Sequence, residues 1–140
     1  MMQQAIKQAQ KAYKLGEIPI GAIIVLNGKI IAKAYNKRNK TKDATSHAEI
    51  LAIKKACRVL NDWRLVDCEM FVTCVPCPMC AGAIINARVK KVYFGATNDN
   101  QKIFEEIVKN SSLNHSCDFK GGILQDRCAR LLMTFFENKR

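Results

Sequence analysis

The sequence predicts an α/β fold in which a mixed sheet is covered by helices on both sides, and three observations predict it. The stretch "GAIIVL" is apolar at successive positions, so both faces of that strand must be buried, as in the interior of a covered sheet. The segments "EMFVTC", "PMCAGAIINAR" and "KVYFGA" follow one another as strand, helix and strand, the order of a parallel pair joined by a crossover helix. Helical periodicity brackets both features, at the beginning and at the end of the chain.

Each element has its own reason. Met2, Ala5, Ile6, Ala9, Ala12 and Tyr13 recur at helical spacing, and Gly16 supplies a stop before Pro19. "GAIIVLNGKIIAKAYN" reads as two strands around Asn27-Gly28, a pair that suits the left-handed positions of a tight hairpin. "HAEILAIKKACRVL" is the next helix, with Glu49, Ile53, Ala56 and Leu60 on one face. Ile103, Phe104, Ile107 and Val108 mark a further helix, and Leu124, Cys128, Leu131, Leu132, Phe135 and Phe136 a last one. No repeats, linkers or low-complexity stretches interrupt the 140 residues, so residues 1–140 are expected to form one domain. A chain of that length buries a core without needing disulfides.

Charge and cysteine content narrow the function classes. The net charge is +11. Lys29, Lys33, Lys37, Arg38, Lys40 and Lys42 occur with no acid among them, and Arg88, Lys90, Lys91, Lys139 and Arg140 add to the field. Such a field attracts polyanions, although a solvated lysine-rich surface has the same composition. No apolar run is long enough to cross a bilayer, and "MMQQAIKQAQKAYKLGE" reads as neither signal peptide nor anchor. The seven cysteines are therefore expected in a reducing cytoplasm, where close spacing favours metal binding or catalysis over bridges.

Three of those cysteines fall in "TCVPCPMCAGA". Pro78 suits the first position inside a helix, which places Cys77 at the cap and Cys80 in the first turn. There the positive end of the helix dipole favours the thiolate, the form that binds metal. By itself Cys-x-x-Cys also fits a redox pair or half of a structural zinc site. Upstream, "TSHAEI" opens a helix with His47 and Glu49, and Ser46-x-x-Glu49 also reads as a capping box. Together, His-x-Glu and Pro-Cys-x-x-Cys form the recognised signature of zinc-dependent nucleobase deaminases. His47, Cys77 and Cys80 supply three ligands to a tetrahedral zinc ion and leave a fourth position for water, which the metal acidifies. Glu49, at the head of an apolar face, is expected to have a raised pKa and to shuttle protons. Cys74 is expected to point into the core, and Cys57, Cys68, Cys117 and Cys128 to behave as small hydrophobes.

The chain resembles the bacterial tRNA adenosine deaminases (TadA-like). The resemblance runs nearly end to end, through "GEIPIGAIIV", Asn36, "HAEILAI", "WRL", "PCPMCAGAI", "VYFGA" and the tail "LNHSCDFKGGILQDRCARLLMTFF". It implies a three-layer cytidine-deaminase-like fold with about five strands. It also implies hydrolytic conversion of adenosine to inosine at the tRNA wobble position by a zinc-dependent, cytoplasmic homodimer that takes in a flipped-out base. On this resemblance His47, Cys77 and Cys80 bind zinc, Glu49 moves protons and Asn36 contacts the base; Asn36 also suits an ordinary strand-end turn. Two departures stand out. Val75 replaces the glutamate usual before Pro-Cys, and "TNDNQKIFEEIVKNSS" replaces a glycine-rich loop expected to shape the pocket wall. Two other readings therefore stay open: a deaminase of a free base or nucleoside such as guanine or cytidine, and a noncatalytic paralogue that binds RNA or a partner.

Overall fold

The structure is a computed structural model that describes residues 1–139, so Arg140 of the C-terminal basic group lies outside the described residues. The first helix, α1 (Met2–Lys14), buries Met2, Ala5, Ile6, Ala9 and Ala12, the face its spacing predicts. It ends at Gly16, whose φ of +76° is left-handed backbone that glycine adopts without a Cβ clash. Strands β1 (Gly21–Leu26) and β2 (Lys29–Tyr35) pair antiparallel around Asn27 and Gly28, both at positive φ (51° and 79°), as the hairpin turn requires.

A four-residue helix, α2 (Arg38–Thr41), follows, and then α3 (Ala48–Leu60). Strand β3 (Cys68–Cys74), helix α4 (Pro78–Asn86) and strand β4 (Lys91–Ala96) form the expected parallel crossover unit. Helix α5 (Gln101–Val108), strand β5 (Asp118–Lys120) and helix α6 (Gln125–Asn138) complete the chain. The sheet is five-stranded in the order β2-β1-β3-β4-β5. It is mixed, because β1 runs antiparallel to both neighbours while β3, β4 and β5 run parallel. The entire first strand up to Val25 is buried, as its unbroken apolar sequence requires.

Helices α1 and α6 contact each other, while α4 contacts both α3 and α5, so the sheet lies between two helical layers. The fit is close. A Cβ on Gly21 would run into the backbone of Ala5 and Ala9 in α1, and one on Gly95 into Cys128 of α6. The segment that replaces the glycine-rich loop becomes α5, and its Phe104 sits edge-on between Phe94 and Phe119 with ring centroids 5.7 and 5.8 Å apart. Such T-shaped pairs add about 0.5–1.5 kcal/mol each beyond the area they bury.

Register decides where chemistry can occur. Gly21 pairs with Tyr35, and Ala22 pairs with Val72. The start of β1, the end of β2 and the end of β3 therefore lie at one end of the sheet. The segments leaving that end lead into α2, α3 and α4. No helix among the described residues is long and apolar enough to cross a membrane.

Candidate active site

Two helix starts meet at this end of the sheet. His47 is the N-cap residue of α3, in extended backbone (φ −73°, ψ 154°), and Cys77 is the N-cap residue of α4 (φ −71°, ψ 170°). Pro78 occupies the first turn of α4, as its fixed φ and missing N–H allow, and brings Cys80 onto the same face as Cys77. His47 Nδ1 lies 3.6 Å from Cys77 Sγ and 3.6 Å from Cys80 Sγ. All three donor atoms fall within 4.8 Å of one another, and no other side chain of the described residues joins this group.

The donor set fits zinc. Tetrahedral geometry with Zn–N near 2.0 Å and Zn–S near 2.3 Å separates nitrogen from sulfur by about 3.5 Å. The two Nδ1–Sγ distances match that spacing. Electrostatics agree with the geometry. The Cys77 thiol is pulled down to about 4, chiefly by a hydrogen bond from Cys80 and then by His47, against the opposing effect of burial. Cys80 is pushed up by donating that bond and by burial. His47 is raised, mainly through its contact with Cys77.

The other cysteines stand apart. Cys74 is buried, burial pushes its thiol up to about 12, and it accepts a hydrogen bond from Asn98 Nδ2 at 3.5 Å. It does not join the donor group. Cys68, Cys117 and Cys128 lie in the core, and Cys57 packs half-buried against it. No pair among the seven is bridged.

Glu49 sits in the first turn of α3 and is 3% exposed. Desolvation raises its pKa to about 7, while its own backbone N–H and His47 pull the other way. It does not cap its helix: the N-cap residue is His47, and no side chain bonds across the helix start. The capping box that Ser46-x-x-Glu49 suggests is therefore not formed. Ser46 lies one residue before the cap and instead accepts a hydrogen bond from Thr41 Oγ1 at 2.9 Å.

A small pocket lies beside these groups, lined by Ile18, Ile20, Asn36, Arg38, His47, Ala48 and Glu49. Asn36 is 5% exposed and donates a long hydrogen bond to Ile18 O (3.4 Å) from just beyond β2. Residues 97–112 replace the glycine-rich loop expected of relatives. None of them is among the lining residues, because Phe104 and Val108 draw that segment into the core as α5. Val75 likewise packs in the core, and its N–H donates to Ala96 O at 2.9 Å, so the approach to Cys77 is held by main chain.

Sequence reasoning missed Ile18, Ile20 and Arg38. The available signal was "EIPIG": two isoleucines flanking a proline immediately before a buried strand, on a segment too short to form its own element.

Comparison with known proteins places this architecture. The model of the MafB19-like deaminase family matches residues 1–138. A solved structure from work on A-to-I editing by tRNA:A34 deaminases at the wobble position of transfer RNA superposes with a TM-score of 0.88 at 34% identity, covering 94% of this chain and 97% of that one. Guanine deaminase from Bacillus subtilis is 35% identical over 98% of this chain and 91% of that one, but superposes with a TM-score of 0.68. The tRNA-specific adenosine deaminase of Bacillus subtilis (strain 168) is 42% identical over 142 aligned residues, 99% of this chain and 88% of that protein. With that identity sustained along its whole length, on a deaminase fold, the chain belongs to the family of tRNA-specific adenosine deaminases.

Proposed function

We propose that the chain is a single zinc-dependent domain that hydrolytically deaminates adenosine to inosine at the wobble position of tRNA and works as a homodimer. One observation carries the chemistry: the His47/Cys77/Cys80 donor group lies at the edge of a pocket lined by His47 and by Glu49, a buried glutamate with a pKa near neutrality. When bound by His47, Cys77 and Cys80, zinc supplies Lewis acidity that makes water a nucleophile at neutral pH. Glu49 accepts one proton from the attacking water and passes it to the purine ring nitrogen, then carries the remaining hydroxyl proton of the adduct to the amino group, which leaves as ammonia while the ring carbon becomes a carbonyl. A pKa near the working pH lets one carboxyl group both take and give. Ile18 and Ile20 offer an apolar wall to the base, and the Asn36 carboxamide offers a donor and an acceptor to its edge.

Two observations support RNA over a free base. The tRNA-specific adenosine deaminase of Bacillus subtilis is 42% identical over 99% of this chain, against 35% for the guanine deaminase. The charge of +11 suits a polyanionic substrate, whose phosphates supply affinity while the pocket reads the base. The test is deamination of a tRNA anticodon stem-loop against free guanine, cytidine and adenosine, with zinc content and sedimentation measured on the same sample. Inosine in the stem-loop is the expected product. Turnover of free guanine alone reassigns the substrate, and stem-loop binding with no turnover of any substrate by zinc-loaded protein supports a noncatalytic paralogue.

A further inference from the structure

We propose that α2 is a phosphate-gripping rim for the substrate strand, with Arg38 making the contact and the buried carboxylate of Glu17 acting as the positioning residue that holds the rim in place. The proposal rests on the reading of the substrate as RNA and names the part of the pocket that recognises the strand rather than the base.

The structure divides the basic run of residues 29–42 into two groups. Lys29 and Lys33 are exposed on β2, the edge strand of the sheet, where charge discourages pairing with another chain. Lys37, Arg38, Lys40 and Lys42 lie on or beside α2, and of these Arg38 lines the pocket. A base turned into this pocket remains tied to its two phosphates, which must lie at the mouth. Arg38 is the cationic side chain there. It is exposed and has no carboxylate partner, since the ion pairs among the described residues are Arg64–Asp62 and Lys109–Asp118. A guanidinium presents parallel N–H donors that match phosphate oxygens. A free base carries no phosphate and would leave it idle.

Such a rim needs support, because α2 cannot stand alone. It is four residues long and buries none of them, far below the length at which a helix holds itself together. Glu17 supplies the anchor. It is 2% exposed, and its two carboxylate oxygens accept hydrogen bonds from the backbone N–H groups of Asn39 (3.1 Å) and Lys40 (2.7 Å). Lys37 N donates to Ser46 O at 3.0 Å, which ties the other end of the rim to the residue preceding His47. The rim is thereby fixed to the same backbone that presents the imidazole. Removing the carboxylate's grip should release Arg38 without touching the donor group.

The experiment measures KM, kcat and the salt dependence of binding for the anticodon stem-loop with Arg38→Ala, Arg38→Lys, Glu17→Gln and the double variant Glu17→Gln/Arg38→Ala. Arg38→Ala is expected to raise KM about tenfold, the scale of one charge-assisted hydrogen bond at a partly exposed site, with the loss concentrated in KM rather than kcat. It should also lower the slope of log affinity against log salt by about 0.7, the value for one phosphate contact on a single strand. Arg38→Lys should restore the slope while recovering only part of KM. Glu17→Gln keeps the shape but offers one acceptor in place of two. It should raise KM in the same direction, and the double variant should lose less than the sum of the two singles. An unchanged KM and slope in Arg38→Ala overturns the rim. A lower melting temperature in Glu17→Gln with unchanged KM and slope makes Glu17 a purely structural residue and overturns its positioning role. Failure of the unaltered protein to bind or deaminate the stem-loop at any salt concentration overturns the substrate reading instead.

Discussion

The hydroxyl of Ser46 accepts a hydrogen bond from Thr41 Oγ1 at 2.9 Å and does not turn toward the start of α3. The serine that would have closed a capping box with Glu49 is thus committed to the loop carrying α2, and Glu49 is left facing the pocket. That separation lets the two residues be tested independently.

Glu49→Gln should lower turnover by about 10²- to 10⁴-fold, the range for losing a positioned proton shuttle. Its stability should stay within about 1 kcal/mol of the parent or rise, because a buried carboxyl whose pKa burial raises is replaced by a neutral amide. Ser46→Ala should instead cost about 1 kcal/mol through a lost hydrogen bond and leave turnover nearly intact. Thermal denaturation and single-turnover kinetics on both variants check this; equal destabilisation with activity retained in Glu49→Gln would falsify the proton-shuttle role.

Metal content separates the three proposed ligands from their neighbour. His47→Ala, Cys77→Ala and Cys80→Ala should each fall below about a tenth of the zinc content of the parent protein, since three protein ligands are the minimum for such a site. Cys74→Ala should keep full occupancy. Zinc lost from Cys74→Ala would make the site a closed, four-ligand one.

Gly21→Ala should destabilise the protein by about 2–3 kcal/mol, because the new methyl group meets the backbone of α1, which cannot yield as a side chain can. Urea denaturation should show a lower midpoint with the slope unchanged.

Alkaline stability should depend on the core thiols. Burial raises Cys117 to about 12 and Cys128 to about 11, from an ordinary value of 9.0. Between these values the unfolded chain releases protons that the folded chain keeps. Stability is therefore complete below pH 9 and falls as pH rises toward 11 and 12, by at most about 1.4 kcal/mol per pH unit for each thiol. Cys117→Ala should show a shallower decline over that window, measured by denaturant unfolding at a series of pH values. An identical slope in the variant would mean that Cys117 already ionises in the folded protein.

Most elements were legible because they obey local rules: the spacing of Met2, Ala5, Ile6, Ala9 and Ala12, the Asn27-Gly28 turn, and Pro78 opening α4. Two elements were not. Strand β5 has three residues and exists only through its pairing with β4, and α2 has no buried residue to leave a periodic trace. In the site, the donor types and their places at helix starts could be read directly. Arg38 could not, because nothing adjacent in the chain marks it as a pocket residue, and for Ile18 and Ile20 the only trace was the short "EIPIG" segment before a buried strand.

The sequence alone determined which atoms are available: an imidazole and two thiols placed at helix beginnings, where backbone N–H groups and the dipole favour thiolate. It also determined the strongly basic character of residues 29–42. Tertiary structure decided the rest. Ligand spacing within one helix turn is set by local geometry, but bringing His47 Nδ1 at the start of α3 to 3.6 Å from the Cys77 and Cys80 sulfurs of α4 requires the register of β1 between β2 and β3. The burial that raises Glu49 toward neutrality and the grip of Glu17 on α2 likewise arise only when distant segments pack, because desolvation and long-range hydrogen bonds have no counterpart in the extended chain.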